Sequence, residues 1–211
     1  MAARGGVRTN PPDCATRHAL SCDRGGSRMT RVVAISGPPG AGKTALARRL
    51  AETAGATLLS FDDFETMTDL GPAAIEDWLD RGAPLDELAS APFAAAVGRA
   101  RGRLVLDMPL GRADPLVGDR IDCAVWLDCP PDLALARKVA QFARDAATQP
   151  APGFAPWLAA YLQNYERIVR PCIDMLCEKS RNTADIILDT SGSEVTSHER
   201  LTTALKIRKF L

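Results

Sequence analysis

Residues 37–44 read Gly37-Pro38-Pro39-Gly40-Ala41-Gly42-Lys43-Thr44, a complete G-x-x-x-x-G-K-[ST] loop, the Walker A pattern. Glycines let a backbone turn through positive φ and bring its amide N–H groups up to a phosphate. Lys43 supplies a mobile cation for the β- and γ-phosphates of a nucleoside triphosphate, and Thr44 a hydroxyl for Mg²⁺. The whole loop, Gly37 to Thr44, is therefore the expected triphosphate cradle. The bland alternative is a glycine-rich link from strand to helix, and it leaves the Lys-Thr pair unexplained. The flanks also favour the cradle: Arg31–Ser36 is a short β-branched run, and Ala45–Glu52 has a strong helical pattern.

Phosphoryl chemistry also needs carboxylates, and three follow apolar runs. Ala56–Phe61 leads into Asp62-Asp63, Arg103–Leu106 ends at Asp107, and Cys123–Leu127 ends at Asp128. Asp62 suits the base that orients an acceptor hydroxyl and takes its proton as the γ-phosphoryl group leaves. Its other reading is a helix cap, which Asp63 or Thr66 would serve equally. Asp107 suits the acid that holds Mg²⁺ together with Thr44, in the manner of a Walker B residue; its other reading is a strand-end turn. Asp128, before Cys-Pro-Pro, reads as a turn former. Cations to cover the transferring group are found at Arg137, Lys138 and Arg144, with Arg137 and Arg144 two turns apart on one helix face; the competing reading is a solvated face.

Five near-continuous apolar runs supply the frame: Arg31–Ser36, Ala56–Phe61, 103–107, Cys123–Asp128 and Ala184–Asp189. Strands buried on both faces of a parallel sheet read this way. Helices are expected at Lys43–Ala54, capped by Gly55; at Pro92–Arg101, ending at Gly102; at Pro131–Ala147; at Pro156–Ser180, split by Pro171 near Arg170; and at Glu194–Phe210. The expectation is an α/β, three-layer P-loop NTPase fold: a doubly wound, parallel five-stranded sheet with a helical lid that ends near Thr148–Gly153. Its ligand would sit at the carboxyl ends of the strands.

The 211 residues carry a formal net charge of zero, 46% apolar and 25% charged residues. That fits one soluble globular domain and gives no basic field for nucleic acid. No apolar run approaches the ~20 residues that span a membrane. The six cysteines include no C-x-x-C pair, and only His18 and His198 accompany them, so no zinc site is expected. Cys123 and Cys129 read as buried thiols, and the expected compartment is the reducing cytosol. Residues 1–28 hold five arginines against two aspartates without an apolar period. They are expected to be a disordered extension whose removal leaves stability unchanged, with 29–211 as the domain.

Four blocks resemble the uridine kinase-like branch of P-loop kinases, which includes phosphoribulokinase. They are Gly37–Thr44, Phe61-Asp62-Asp63-Phe64, Leu135-Ala136-Arg137-Lys138 through Arg144-Asp145, and Tyr165–Pro171 followed by Ala184–Ile187, in order over about residues 30–190. The resemblance implies an ATP- and Mg²⁺-dependent phosphotransferase acting on a small-molecule hydroxyl, with Asp62 as base and Arg137 and Arg144 in the lid. It further implies Asp62, Asp63 and Trp78 at the acceptor, although Trp78 could equally be core. It also hints at self-association. Glu65 and Met108 depart from the family, which has Tyr and Gly there. The competing class is a regulatory or motor NTPase without a small-molecule acceptor. The chain lacks the Asn-Lys-x-Asp base reader of GTPases, and its length argues against an AAA-type module.

Overall fold

The computed structural model describes residues 7–9, 30–65, 71–148 and 153–211. Five strands are parallel: β2 (Thr30–Ser36), β3 (Thr57–Ser60), β4 (Gly102–Asp107), β5 (Cys123–Asp128) and β6 (Ile186–Asp189). A sixth, β1 (Val7–Thr9), pairs antiparallel with β6, and the order across the sheet is β1-β6-β5-β2-β4-β3.

β2 is central and buried from Val32 to Ser36. Its side chains alternate between two cores, as a strand's period of two requires. Val33 and Ile35 pack with α1 (Lys43–Ala54) and α8 (Glu194–Ile207). Val32 and Ala34 pack with Phe93 and Val97 of α4 (Ala91–Arg99). A third cluster joins Leu110, Trp126 and Ile187 to Leu176 of α7 (Arg170–Ser180). Layers on both faces explain why the strands read as unbroken apolar runs. The register brings the strand ends level: Ile35 lies beside Asp107, and Asp107 beside Ser60. The segments after β2, β3 and β4 therefore leave the sheet along one edge.

Most expected elements lie within two residues of their predicted bounds, and Gly55 caps α1 with φ 58°. Helix α4 stops at Arg99 with Ala100 extended, and Gly102 (φ 80°) opens β4 instead of capping the helix. Two helices lack a sequence expectation, α2 (Pro72–Asp80) and α3 (Leu85–Leu88). Helix α5 (Pro131–Thr148) precedes α6 (Phe154–Asn164), and residues 149–152 of the expected lid end lie outside the described residues. The long helix is divided near Arg170 as Pro171 requires. A π turn at Tyr165–Val169 separates α6 from α7, where Pro171 occupies the first turn and its missing N–H is harmless. On that π turn Arg167 pairs with Glu76 of α2 at 2.6 Å.

Cys123 and Cys129 are buried, and burial pushes the Cys123 thiol up to about 12. Among the described residues, no helix is long and apolar enough to cross a membrane.

The disordered extension needs one correction. Val7–Thr9 form β1, because β6 would otherwise present an unpaired sheet edge; the rest of 1–28 lies outside the described residues. Deleting residues 1–28 is expected to lower the melting temperature by about 2–4 °C, on the order of 1 kcal/mol for an edge pairing of this length. Calorimetry on the full chain and on 29–211 checks this, and identical transitions would remove β1 from the fold.

Candidate active site

The loop after β2 is shaped by what packs against it. Gly40 has φ 84°, and a Cβ there would lie 2.0 Å from the Ala134 carbonyl oxygen. Only glycine lets the first turn of α5 close onto the loop. Gly42 (φ 91°) opens α1 with no atom in the way of a Cβ, so its requirement is conformational. No side chain caps α1 and no acid lies in its first turn, which leaves the helix's positive end for an anion.

Lys43 is half-buried and donates to the Pro38 carbonyl at 3.2 Å. Burial holds its ammonium below the usual lysine range. Asp107 and then Asp62 oppose that shift, and the Lys138 charge adds to it. Thr44 Oγ1 donates to Asp107 Oδ2 at 2.7 Å. Burial raises the Asp107 carboxyl; the Thr44 bond and the Lys43 charge pull it back, while Asp62 and Asp63 push it further up. A hydroxyl beside a buried, destabilised carboxylate is a hard-oxygen pair that suits Mg²⁺. Among the described residues, no group of three or more His, Cys, Asp or Glu forms a metal cage. Mg²⁺ in phosphoryl-transfer sites keeps waters and phosphate oxygens as ligands, so one such pair is a sufficient protein contribution.

Asp62 and Asp63 lie on a 3₁₀ turn, Phe61–Asp63, directly after β3. Phe61 is buried and meets Phe93 edge-on at 5.3 Å; Phe64 meets the same ring at 5.6 Å. These two anchors leave the intervening carboxylates exposed at the edge that carries the P-loop. Neither makes a hydrogen bond among the described residues. The cap reading of Asp62 depends on a segment, 66–70, that lies outside them.

Two expected site residues are placed elsewhere. Trp78 is buried and its Nε1 donates to the Pro84 carbonyl at 3.1 Å. It packs α2 in place and is not available to an acceptor. Arg137 donates from Nη1 to the Thr190 carbonyl at 2.7 Å and from Nη2 to the Gly192 and Ser191 carbonyls at 3.0 and 3.3 Å. Its guanidinium ties α5 to the segment after β6, because bare carbonyls there need donors. Arg144, two turns out, is exposed, and its guanidinium has no partner among the described residues. Asp128 pairs with Arg181 at 3.3 Å, and its carbonyl accepts from Thr190 N, a structural role as expected. Lys138, also among the expected cations, contributes to the charge around Lys43.

A family profile described as an AAA domain matches residues 32–168, from β2 into the π turn. The exclusion of an AAA-type assignment on chain length is thereby corrected; the match describes a P-loop core and does not name the uridine kinase-like branch. Among solved structures, the chain is similar to a shikimate kinase from Acinetobacter baumannii in complex with shikimate. The identity is 16% and the TM-score 0.52, over 85% of this chain and 93% of that one. It is also similar to a deoxyadenosine kinase from M. mycoides with bound dATP, at 11% identity and TM-score 0.50, over 83% and 100% of the two chains. These likenesses show a P-loop kinase-like fold. No curated protein matches by sequence.

Arg137→Ala is expected to act on stability. Losing charge-assisted bonds to three carbonyls should cost about 2 kcal/mol, or about 4–8 °C in melting temperature. Nucleotide affinity, measured by titration calorimetry, should stay within about twofold; an unchanged melting point with weakened binding would return Arg137 to the phosphate site.

Proposed function

The chain belongs to the AAA domain family whose profile spans residues 32–168, and from that premise we propose that it is a phosphotransferase moving the γ-phosphoryl group of ATP to a hydroxyl of a small molecule. The observation that carries the reading is Asp62. It is an exposed carboxylate without a structural bond among the described residues, close enough to Lys43 and Asp107 to act on both.

The P-loop amides and Lys43 hold the β- and γ-phosphates. Thr44 and Asp107 hold the side of the site where Mg²⁺ would sit, and the ion, when bound, neutralises charge on those phosphates. Asp62 aligns the acceptor hydroxyl and takes its proton. A bond forms from that oxygen to the γ-phosphorus as the bond to the bridging oxygen breaks, and ADP leaves. Asp63 lines the acceptor side, and Arg144 is free to come over the transferring group. The four-block resemblance supports a nucleoside or a similar polyhydroxyl compound as acceptor, and the similar structures named for shikimate and deoxyadenosine are in keeping with a small one. Free thiols at Cys123, Cys129, Cys172 and Cys177 suit a reducing, cytoplasmic setting.

An ADP-release screen of the full chain with MgATP against nucleosides, sugars, pantothenate and polyols identifies the acceptor. Stimulation by a protein and by no metabolite would replace this reading with a partner-coupled NTPase. With the acceptor in hand, Lys43→Ala should abolish turnover. Asp62→Asn should lower kcat by about 100-fold or more with ATP affinity kept; full activity in Asp62→Asn would remove the assigned base.

A further inference from the structure

The turn that carries Asp62 is held from outside itself. Its own hydrogen bonds end on one atom: the Phe64 and Glu65 amides both donate to the Phe61 carbonyl, at 2.9 and 3.1 Å. Hydrogen-bond geometry in so short a 3₁₀ turn is poor. The Phe64 carbonyl lies past the turn's last bond and needs a donor. The Ser90 hydroxyl supplies it at 2.9 Å, across 26 positions of sequence. Between these two residues the chain makes α2 and α3, so this one bond closes the neck of the whole excursion.

Ser90 is also the N-cap of α4. A cap oxygen accepts from the second or third amide of its helix. The second residue here is Pro92, which has no N–H, so the bond goes to Phe93 N at 3.3 Å. Phe93 is the ring on which Phe61 and Phe64 pack. A hydroxyl can donate and accept at once, so both bonds are made together. Ser90, Phe64 and Phe93 therefore close a triangle of two hydrogen bonds and one ring contact at the end of the Asp62 turn. Asp62 and Asp63 are exposed and make no hydrogen bond among the described residues. Where their carboxylates stand is set by the main chain that carries them.

We propose that Ser90 is a positioning residue for Asp62, its hydroxyl fixing the turn by joining the Phe64 carbonyl to the start of α4. The inference rests on the phosphotransferase reading, in which Asp62 is the base. A base that must meet an acceptor oxygen within hydrogen-bond reach tolerates little displacement, since about 1 Å can cost about 100-fold in rate. Ser90 acts through the turn's backbone, and its effect on catalysis passes through Asp62 alone.

Ser90→Gly separates this role from capping, because glycine begins a helix almost as well as serine but has no hydroxyl. Its melting temperature should fall by no more than about 4 °C. Hydrogen exchange on the full chain should quicken about 10-fold at the Phe64 and Glu65 amides and stay unchanged in α1. With MgATP and the acceptor identified from nucleosides, sugars, pantothenate and polyols, kcat should fall about 10-fold with ATP affinity within about twofold. Ser90→Thr keeps the hydroxyl and should match the parent in exchange and in kcat. Added to Asp62→Asn, Ser90→Gly should lower kcat no further. Parent-like exchange or parent-like kcat in Ser90→Gly overturns the proposal, as does a further loss of about 10-fold on top of Asp62→Asn. If the parent phosphorylates none of these compounds while exchange of the turn quickens as expected, the phosphotransferase reading falls and the hold of Ser90 on the turn stands.

Discussion

Burying both faces of β2 sets the terms for everything at its carboxyl end. A strand packed above and below can take parallel partners on each side, and here it pairs with β4 and β5. Hydrogen-bond register then leaves no freedom: with Ile35 beside Asp107 and Asp107 beside Ser60, three segments emerge at one level. The P-loop, the buried carboxylate that Thr44 reaches and the Asp62 turn are thus brought together by main-chain pairing. None of them has to attract another. A slip of one residue in β4 would move Asp107 to the opposite face and leave Thr44 without its acceptor.

The second layer of organisation comes from close backbone approach. Where Gly40 admits the Ala134 carbonyl, α5 is docked against the phosphate loop with almost no slack. Each residue's direction from α5 is consequently determined by its phase from Ala134. Arg137 is spent on carbonyls beyond β6, which secures the same helix from its other side. The electrostatics follow from this compactness. Lys43 is held down and Asp107 is held up by the same burial, and each moderates the other.

Much of this was legible in the chain. Unbroken apolar runs bounded the parallel strands because both faces are covered, and the P-loop announced itself because few sequences satisfy its backbone geometry by accident. Asp62 and Asp107 were readable as the first carboxylates past their strands. Roles that depend on helix phase were not. Arg137 looked equal to Lys138 because residues three and four from a contact differ by a direction that only a docked helix defines. Trp78 looked available because nothing in its neighbours reveals that Pro84 folds back to take its N–H. The short helices at 72–88 have too few turns to establish a period. The three residues of β1, two of them β-branched, are too short a run to be read as a strand without β6 beside them.

The π turn at Tyr165–Val169 has a consequence for how the two halves of the long helix face different neighbours. Each helical residue advances the chain by about 100° of rotation. A π turn admits a residue beyond the α count, so it offsets the phase of α6 against α7 by about that angle. α7 is thereby free to aim Ile173 and Leu176 at the sheet while α6 aims Trp157 and Tyr161 sideways at α5. One inserted position acts as a gear between a half that belongs to the core and a half that belongs to α5.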